Sequence, residues 1–409
     1  MLRSSEVGTI SKYFFCQRLQ LSRSHAALSF QNYDERTEAS DGNQSGASST
    51  ITSLTNHTDS FELISRSSRL SKKSVSSYSA TTPETDHYNK LLIRINNALL
   101  IIDDVLVPST IQRMVRRQRV LNCEKLILNI MGGVAGSGLN YILARVKLAL
   151  IIYKIKDHQR CPTEHNRTSL IELLAVKRLG VLNTVSRVHL LHALQALRLS
   201  ANKRGEFWVR NIFLKSRGEQ LARLKTLMDS KGDYYCMNKL IYEDIRNEVV
   251  REDILKHFKS QPSLQRRKVL SDVDDTLTCS GNHWPAGIDN RYSRKTIYPG
   301  VCSFYRELDN AFDGETGNLV FLSARPHLYK DWAESHSFEK FKKMKAKGLM
   351  HCTPSLLAGD VKSGKEFIQK RTYEPLALKK YRNFADYVNI YPEYRKCYFR
   401  CRKGHIYIC

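Results

Sequence analysis

The stretch Val269-Leu270-Ser271-Asp272-Val273-Asp274-Asp275-Thr276-Leu277 decides the fold. A short apolar run leads into two carboxylates at i and i+2, followed by a hydroxyl. Phosphoryl transfer through a covalent aspartyl-phosphate needs that arrangement. One Asp attacks phosphorus, and a second protonates the leaving oxygen and later deprotonates water. The pattern predicts a strand ending at Asp272 and a loop that turns both carboxylates toward the carboxyl edge of a doubly wound sheet, where such sheets bind ligands. An EF-hand calcium loop is excluded. Its sixth position needs Gly and its twelfth Glu, and those positions hold Leu277 and His283. An acidic turn capping a helix is the other ordinary reading.

The motifs that follow weigh against the cap. Leu319-Val320-Phe321-Leu322 reads as a second strand, ending in Ser323-Ala324-Arg325-Pro326. A hydroxyl and backbone N–H groups at a strand end suit phosphate oxygens. Glu374-Pro375-Leu376-Ala377-Leu378-Lys379-Lys380 opens a helical pattern that continues through Phe384 and Val388. A lysine there can reach a phosphate and a nucleophilic carboxylate together.

Strand-Asp, strand-Ser and helix-Lys in that order resemble the haloacid dehalogenase superfamily. Ser271 to Thr278, Leu322 to Tyr329, the Lys380-to-Pro392 spacing, YPGVCSFYREL and PSLLAG more narrowly resemble the Mg²⁺-dependent phosphatidate phosphatase catalytic domain of the yeast actin-patch type. The likeness covers about residues 266–394, roughly a third of the chain, and linked motifs are more specific than one alone. It implies Asp272 as nucleophile, Asp274 as general acid and base, and Thr276 as a support of that loop. It further implies Ser323 as phosphoryl holder and Lys380 as the charge-neutralising lysine. Mg²⁺ would bind the Asp272 carboxylate and the Asp274 backbone carbonyl. The expected fold is α/β, a haloacid dehalogenase-like doubly wound parallel sheet.

One departure stands out. The family's next strand ends in an acidic Gly-Asp motif that completes the magnesium site. Here no Asp or Glu follows Glu393, and residues 395–409 are basic and cysteine-rich. The expectation is an atypical tail, with the last strands of the sheet missing or replaced. Cys397, Cys401 and His405 lack the Cys-x-x-Cys pairs of structural zinc sites.

The rest of the chain divides by composition. Residues 1–87 are rich in Ser, Thr and charge, and cannot bury enough surface to offset the entropy of ordering. They read as disordered, with only a loose likeness to a mitochondrial transit peptide in the first thirty or so. Residues 88–260 read as an all-helical domain that supports the catalytic part or binds a protein partner, with a linker at 260–267. Within it, Ile241 to Phe258 reads as one stripe on a long helix. His189, His192 and Trp208 read as packing or surface residues. Gly132 to Gly138 lacks the Lys-Ser/Thr ending of a P-loop and reads as a turn. The runs 91–107 and 141–155 fall short of the ~18 uncharged apolar residues of a membrane span, so they read as buried helices.

The ten cysteines are scattered, which fits a reducing compartment. Cys279, beside the nucleophile loop, reads as a bystander. The net charge of +25 draws the chain to phosphate-rich partners. With the resemblance, it implies phosphatidate in an anionic membrane surface and a cytoplasmic, peripherally membrane-associated protein. Lys340 to Lys347 is the densest basic run, a solvated face able to rest on headgroups. No zinc-finger, RNA-recognition or helix-turn-helix signature supports nucleic-acid binding. Two functions follow. One is hydrolysis of phosphatidate to diacylglycerol and phosphate. The other, motivated by the absent acidic motif, is a catalytically inactive scaffold that binds phosphatidate or membrane.

Overall fold

The structure is a computed structural model and describes residues 83–103, 110–158, 165–230, 236–264, 266–283, 287–309, 317–326, 332–359, 361–402 and 405–408. The Ser/Thr-rich stretch before Pro83 lies outside the described residues. Residues 83–87, read above as part of that stretch, instead open the first helix, α1 (Pro83–Asp103). Pro83 suits a first helical position, since its missing N–H would have no partner there. Glu84 and Asp86 in the first turn suit the helix dipole.

The helical region continues with α2 (Thr110–Gly133), α3 (Gly136–Arg145), α4 (Leu148–Lys154) and α5 (Asn166–Glu172), the last extended by a π-helical turn, Leu173–Lys177. After it come α6 (Thr184–Ala196), α7 (Lys203–Leu214), α8 (Gly218–Ser230), the short α9 (Met237–Lys239) and α10 (Glu248–Lys259). Asparagines set three of the starts. The side chains of Asn183, Asn202 and Asn247 accept from the N–H groups of Ser186, Gly205, and Val249 and Val250. Gly138 lets α3 lie against α1, because a Cβ there would sit 2.3 Å from the Tyr88 ring. The run 141–155 becomes α3 and α4, two short helices with buried Ile142, Leu143, Ile151 and Ile152.

The long helix expected over Ile241 to Phe258 is broken. Leu240–Asp244 form a π-helical turn, and α10 starts afresh at Glu248 behind the Asn247 cap. Glu206 fixes the break by accepting from the N–H groups of Arg246 and Asn247 at 2.7 and 3.1 Å. Ile241, Ile245, Ile254 and Phe258 are still buried, but Val249 in the same stripe is 68% exposed, so the periodicity reported burial only in part and continuity wrongly.

The C-terminal part is a five-stranded sheet of β1 (Arg267–Asp272), β2 (Leu319–Pro326), β3 (Ser355–Gly359), β4 (Arg395–Arg402) and β5 (His405–Ile408), in spatial order β3-β2-β1-β4-β5. Strands β1 to β4 pair in parallel, and β5 returns antiparallel to β4. The intervening helices are α11 (Val301–Leu308), α12 (Trp332–Ala346), α13 (Val361–Lys370) and α14 (Glu374–Ile390). Residues 395–402 and 405–408, read above as an atypical tail with the last strands missing or replaced, are therefore strands of this sheet. β4 lies beside β1, with Val269 opposite Cys397 and Ser271 opposite Phe399. Backbone pairing takes residues 395–402 because β1 would otherwise present an open edge in the middle of the sheet.

Both faces of the sheet are covered. Val269, Leu319 and Phe321 pack with Tyr305 of α11 and Phe341 and Met344 of α12. Leu270, Val320, Leu322 and Leu357 pack with Tyr387, Ile390 and Tyr391 of α14 in a core that runs unbroken into the helical region. Residues 79–409 accordingly form one compact unit. The segment read as a linker takes part: Leu264 packs against this core, and its N–H donates to the Glu393 carbonyl at 2.7 Å.

Polar groups pin the helical region to the sheet near the amino ends of its strands. The Lys225 ammonium donates to the Ile390 carbonyl at 2.7 Å and to Glu393 at 2.8 Å, and both side chains are buried. Tyr391 donates to Asp229 at 2.6 Å, while the Lys268 ammonium donates to Thr226 at 3.2 Å. Burial lowers the Lys268 ammonium to about 8 and raises the Asp229 carboxyl. Lys340 to Lys347 fall late in α12 and just beyond it. That helix leaves the carboxyl edge and returns toward the amino edge, so this run lies away from the carboxyl ends of the strands.

Candidate active site at the carboxyl edge

Strand β1 stops at Asp272, at the carboxyl edge of the sheet. The chain leaves β2 and β3 on one side of β1 and crosses back to place β4 on the other. Strand order therefore reverses beside β1, which opens a crevice at that edge. Leu322 lies opposite Asp272 in the register, so Ser323 arrives one position farther along β2. The pairing of β2 with β3 is irregular between Leu322 and Pro326, so the edge spreads around Ser323.

Lys380 comes from the second turn of α14, the helix packed on the Leu270 face of the sheet. Side chains alternate along a strand, so Asp272 points to the same face as Leu270. The Lys380 ammonium donates to Asp272 Oδ2 at 2.7 Å, and the Val273 N–H donates to Oδ1 at 2.8 Å. The two side chains are 15% and 26% exposed, which leaves the pair sheltered yet open to a ligand. Asp274 follows two residues later and is half-buried, and Thr276 is buried. The structure thus joins Asp272 to Lys380 directly. It places Asp274 and Thr276 in the same loop and brings Ser323 to the same edge.

The loop is shaped by Asp275, whose role the sequence reading missed. Its backbone takes φ 53°, a left-handed conformation that Asp tolerates better than most residues. The Leu277 and Thr278 N–H groups both return to the Val273 carbonyl. The Asp275 carboxylate accepts the N–H groups of Ser280, Ile288 and Asp289 at 2.8, 3.0 and 3.2 Å. Gly287 makes this approach feasible, since a Cβ there would lie 1.9 Å from Asp275 Oδ2. A flap described over residues 279–283 and 287–298 is so tied to the loop that carries Asp274. The Cys279 and Lys295 N–H groups donate to the Thr296 and Cys279 carbonyls, closing its base. Beneath the loop, Tyr305 of α11 shares a 2.5 Å hydrogen bond with Ser271.

Asp275, Cys279 and Asp289 bring ligand-type atoms close together, but those atoms already have protein partners. Asp275 is held as just described. Asp289 is clamped by Arg291, which donates from Nε and Nη2, and by the Tyr298 hydroxyl at 2.7 Å. The Arg291 guanidinium holds the Asp289 carboxyl well below the usual carboxylate range. Burial, reinforced by Asp289, holds the Tyr298 phenol well above its ordinary value. The Cys279 thiol donates to the Asp289 and Tyr292 carbonyls. The cluster is a structural knot of the flap, and Cys279 belongs to it.

The strand end offers a hard divalent cation a different set of oxygens. Mg²⁺ commonly takes one or two protein carboxylates and completes its octahedron with water and phosphate. The Asp272 carboxylate and the Asp274 backbone carbonyl, the oxygens the resemblance implies, would be the ones to hold it, with Lys380 and the Val273 N–H already donating to Asp272. β4 adds no carboxylate, since the residues after its Phe399 at the same edge are Arg400, Cys401 and Arg402. No family model, curated protein or solved structure matches this chain.

Proposed function

We propose that the chain is a phosphomonoesterase of the haloacid dehalogenase type, acting on phosphatidate at a membrane surface. The observation that carries the reading is the Asp272–Lys380 pair at the carboxyl end of a central parallel strand. A nucleophilic carboxylate facing a phosphate needs a nearby cation to offset their repulsion, and Lys380 is placed to serve both. The lipid substrate rests on the family resemblance and on the +25 charge.

In the first step an Asp272 oxygen forms a bond to phosphorus while the phosphorus–glycerol oxygen bond breaks. Asp274 gives its proton to the departing diacylglycerol oxygen. In the second step Asp274 takes a proton from water, the water oxygen bonds to phosphorus, and the acyl-phosphate bond breaks to restore Asp272. Ser323 holds a phosphoryl oxygen, and Thr276 supports the loop that aims Asp274. Mg²⁺, when bound by Asp272 and Asp274, supplies positive charge to the phosphate. No described helix is long and apolar enough to cross a membrane, and the proposed enzyme works from the membrane surface.

A second reading, an inactive phosphatidate-binding scaffold, is favoured by one observation: β4 reaches the site edge with arginines in place of an acid. Phosphate release from phosphatidate in detergent micelles, with and without Mg²⁺, separates the two. The enzyme reading expects Mg²⁺-dependent release that Asp272→Asn reduces by about a thousandfold or more. Binding of phosphatidate without release selects the scaffold.

A further inference from the structure

Far along the chain from the catalytic loop, the helix pair α1–α2 exposes apolar side chains at one end. The two helices pack together and are joined by six residues, so the end of α1 and the start of α2 are held at one end of the pair. Leu100 and Ile101 in the last turn of α1, and Met114 and Val115 in the second turn of α2, are exposed, Leu100 at 68% and Met114 at 72%. Ile93, seven residues before Leu100 and so on the same face of α1, is 58% exposed. The opposite face of α1 is buried through Tyr88, Ile95, Ala98 and Leu99. Exposed aliphatic side chains grouped at one end of a helix pair mark an interaction surface.

The charge beside it on α2 is positive. Residues 110–123 contain four arginines and no acid, and Arg94, Arg117 and Arg119 are exposed. Asp103, the acid at the end of α1, is ion-paired with Lys154 of α4. Apolar side chains flanked by arginines match the interfacial zone of an anionic bilayer, where the apolar groups enter between headgroups and the cations meet lipid phosphates. A protein partner of acidic surface would match the charge equally but would not require so open a set of aliphatic side chains.

We infer that this end of the α1–α2 pair is a membrane-docking element that seats the protein on anionic bilayers. The inference rests on the phosphatase reading for its purpose, since an enzyme with a lipid substrate works at a bilayer. The test uses the full chain, sedimented with vesicles of phosphatidylcholine containing phosphatidylserine. That mixture offers no phosphomonoester, so binding is read whether or not the chain releases phosphate. Two variants are compared: Leu100→Asp with Met114→Asp, and Arg94→Glu with Arg119→Glu. All four positions are exposed, and circular dichroism checks the fold.

The expected result is loss of vesicle binding in both. The arginine pair should weaken it at least roughly thirtyfold, since each lost surface cation contributes a factor of about five and the added carboxylates repel the headgroups. Hydrolysis of the water-soluble para-nitrophenyl phosphate should be unchanged in either variant. Wild-type protein that ignores the vesicles, or folded variants that bind as well as wild type, overturns the inference. A wild-type dimer that the apolar variant converts to monomer also overturns it, by assigning the patch to a second copy. Absence of phosphate release from every substrate counts against the phosphatase reading alone.

Discussion

Asp272 and Asp275 lie three residues apart in one loop and have unlike surroundings. Asp272 faces a flexible cation across the site edge, whereas Asp275 is enclosed by backbone N–H groups. Lys380→Met should therefore lower turnover by roughly a hundredfold, the scale for removing one electrostatic contact to a developing charge, with little change in stability. Asp275→Ala should act the other way. It leaves three N–H groups without their acceptor and should cost about 2–4 kcal/mol, measured by urea denaturation. The proximity of Asp272, Asp274 and Thr276 was legible because it follows from adjacency in the chain. The Asp275 contacts with residues 288 and 289 were not, because they depend on how a flap folds back, and the third Asp of the Asp-Val-Asp-Asp run carries no local mark of that task. Tyr305 stayed hidden for the same reason, since its partner Ser271 is thirty-four residues away.

At the scale of elements, β1, β2 and α14 were legible from apolar runs bounded by turns and from a helical stripe opened by Glu374-Pro375. β4 was not. A strand buried in a parallel sheet normally reads as a continuous apolar run, and Arg-Lys-Cys-Tyr-Phe-Arg-Cys-Arg does not. Its place is set by hydrogen bonding to β1. A chain ending at Tyr394 should leave that edge open, lose cooperative unfolding and aggregate, as light scattering during thermal denaturation would show. The link from α8 to the end of α14 makes a second element-scale prediction. Glu393→Gln removes the paired charge from the buried Lys225 ammonium, which keeps the Ile390 carbonyl, and should cost about 3–5 kcal/mol, whereas Lys225→Met combined with Glu393→Leu should recover much of the loss. Denaturant midpoints for the single and double variants check this.

Across the whole molecule, the sheet carries polar groups at both ends of its strands. The carboxyl edge holds the candidate site. The amino edge holds a buried network in which Lys268 faces Asp229, Glu393, Asp309 and Lys225. The change from helices to a sheet after residue 260 was legible from the patterning, but the unbroken core between the two parts was not, because it needs Leu270 and Val320 to meet side chains distant in sequence. Lys268 gives this junction a pH dependence. Its ordinary value of 10.5 falls to about 8 in the folded chain. The unfolded chain thus holds more protons between those limits, and stability rises with pH there. Below about pH 8 both states are charged and the full cost of burial applies. Against Lys268→Met, wild type should gain stability between pH 8 and 10, and a gap that stays constant would refute the assignment.

The central claim is that Asp272 becomes phosphorylated during turnover. The most direct measurement is mass spectrometry of the chain quenched in acid after brief exposure to phosphatidate and Mg²⁺. A phosphoryl group on the peptide containing Asp272, absent from Asp272→Asn and lost on treatment with hydroxylamine, is the expected result. Phosphate release that persists in Asp272→Asn, with no adduct on that peptide in wild type, would contradict it.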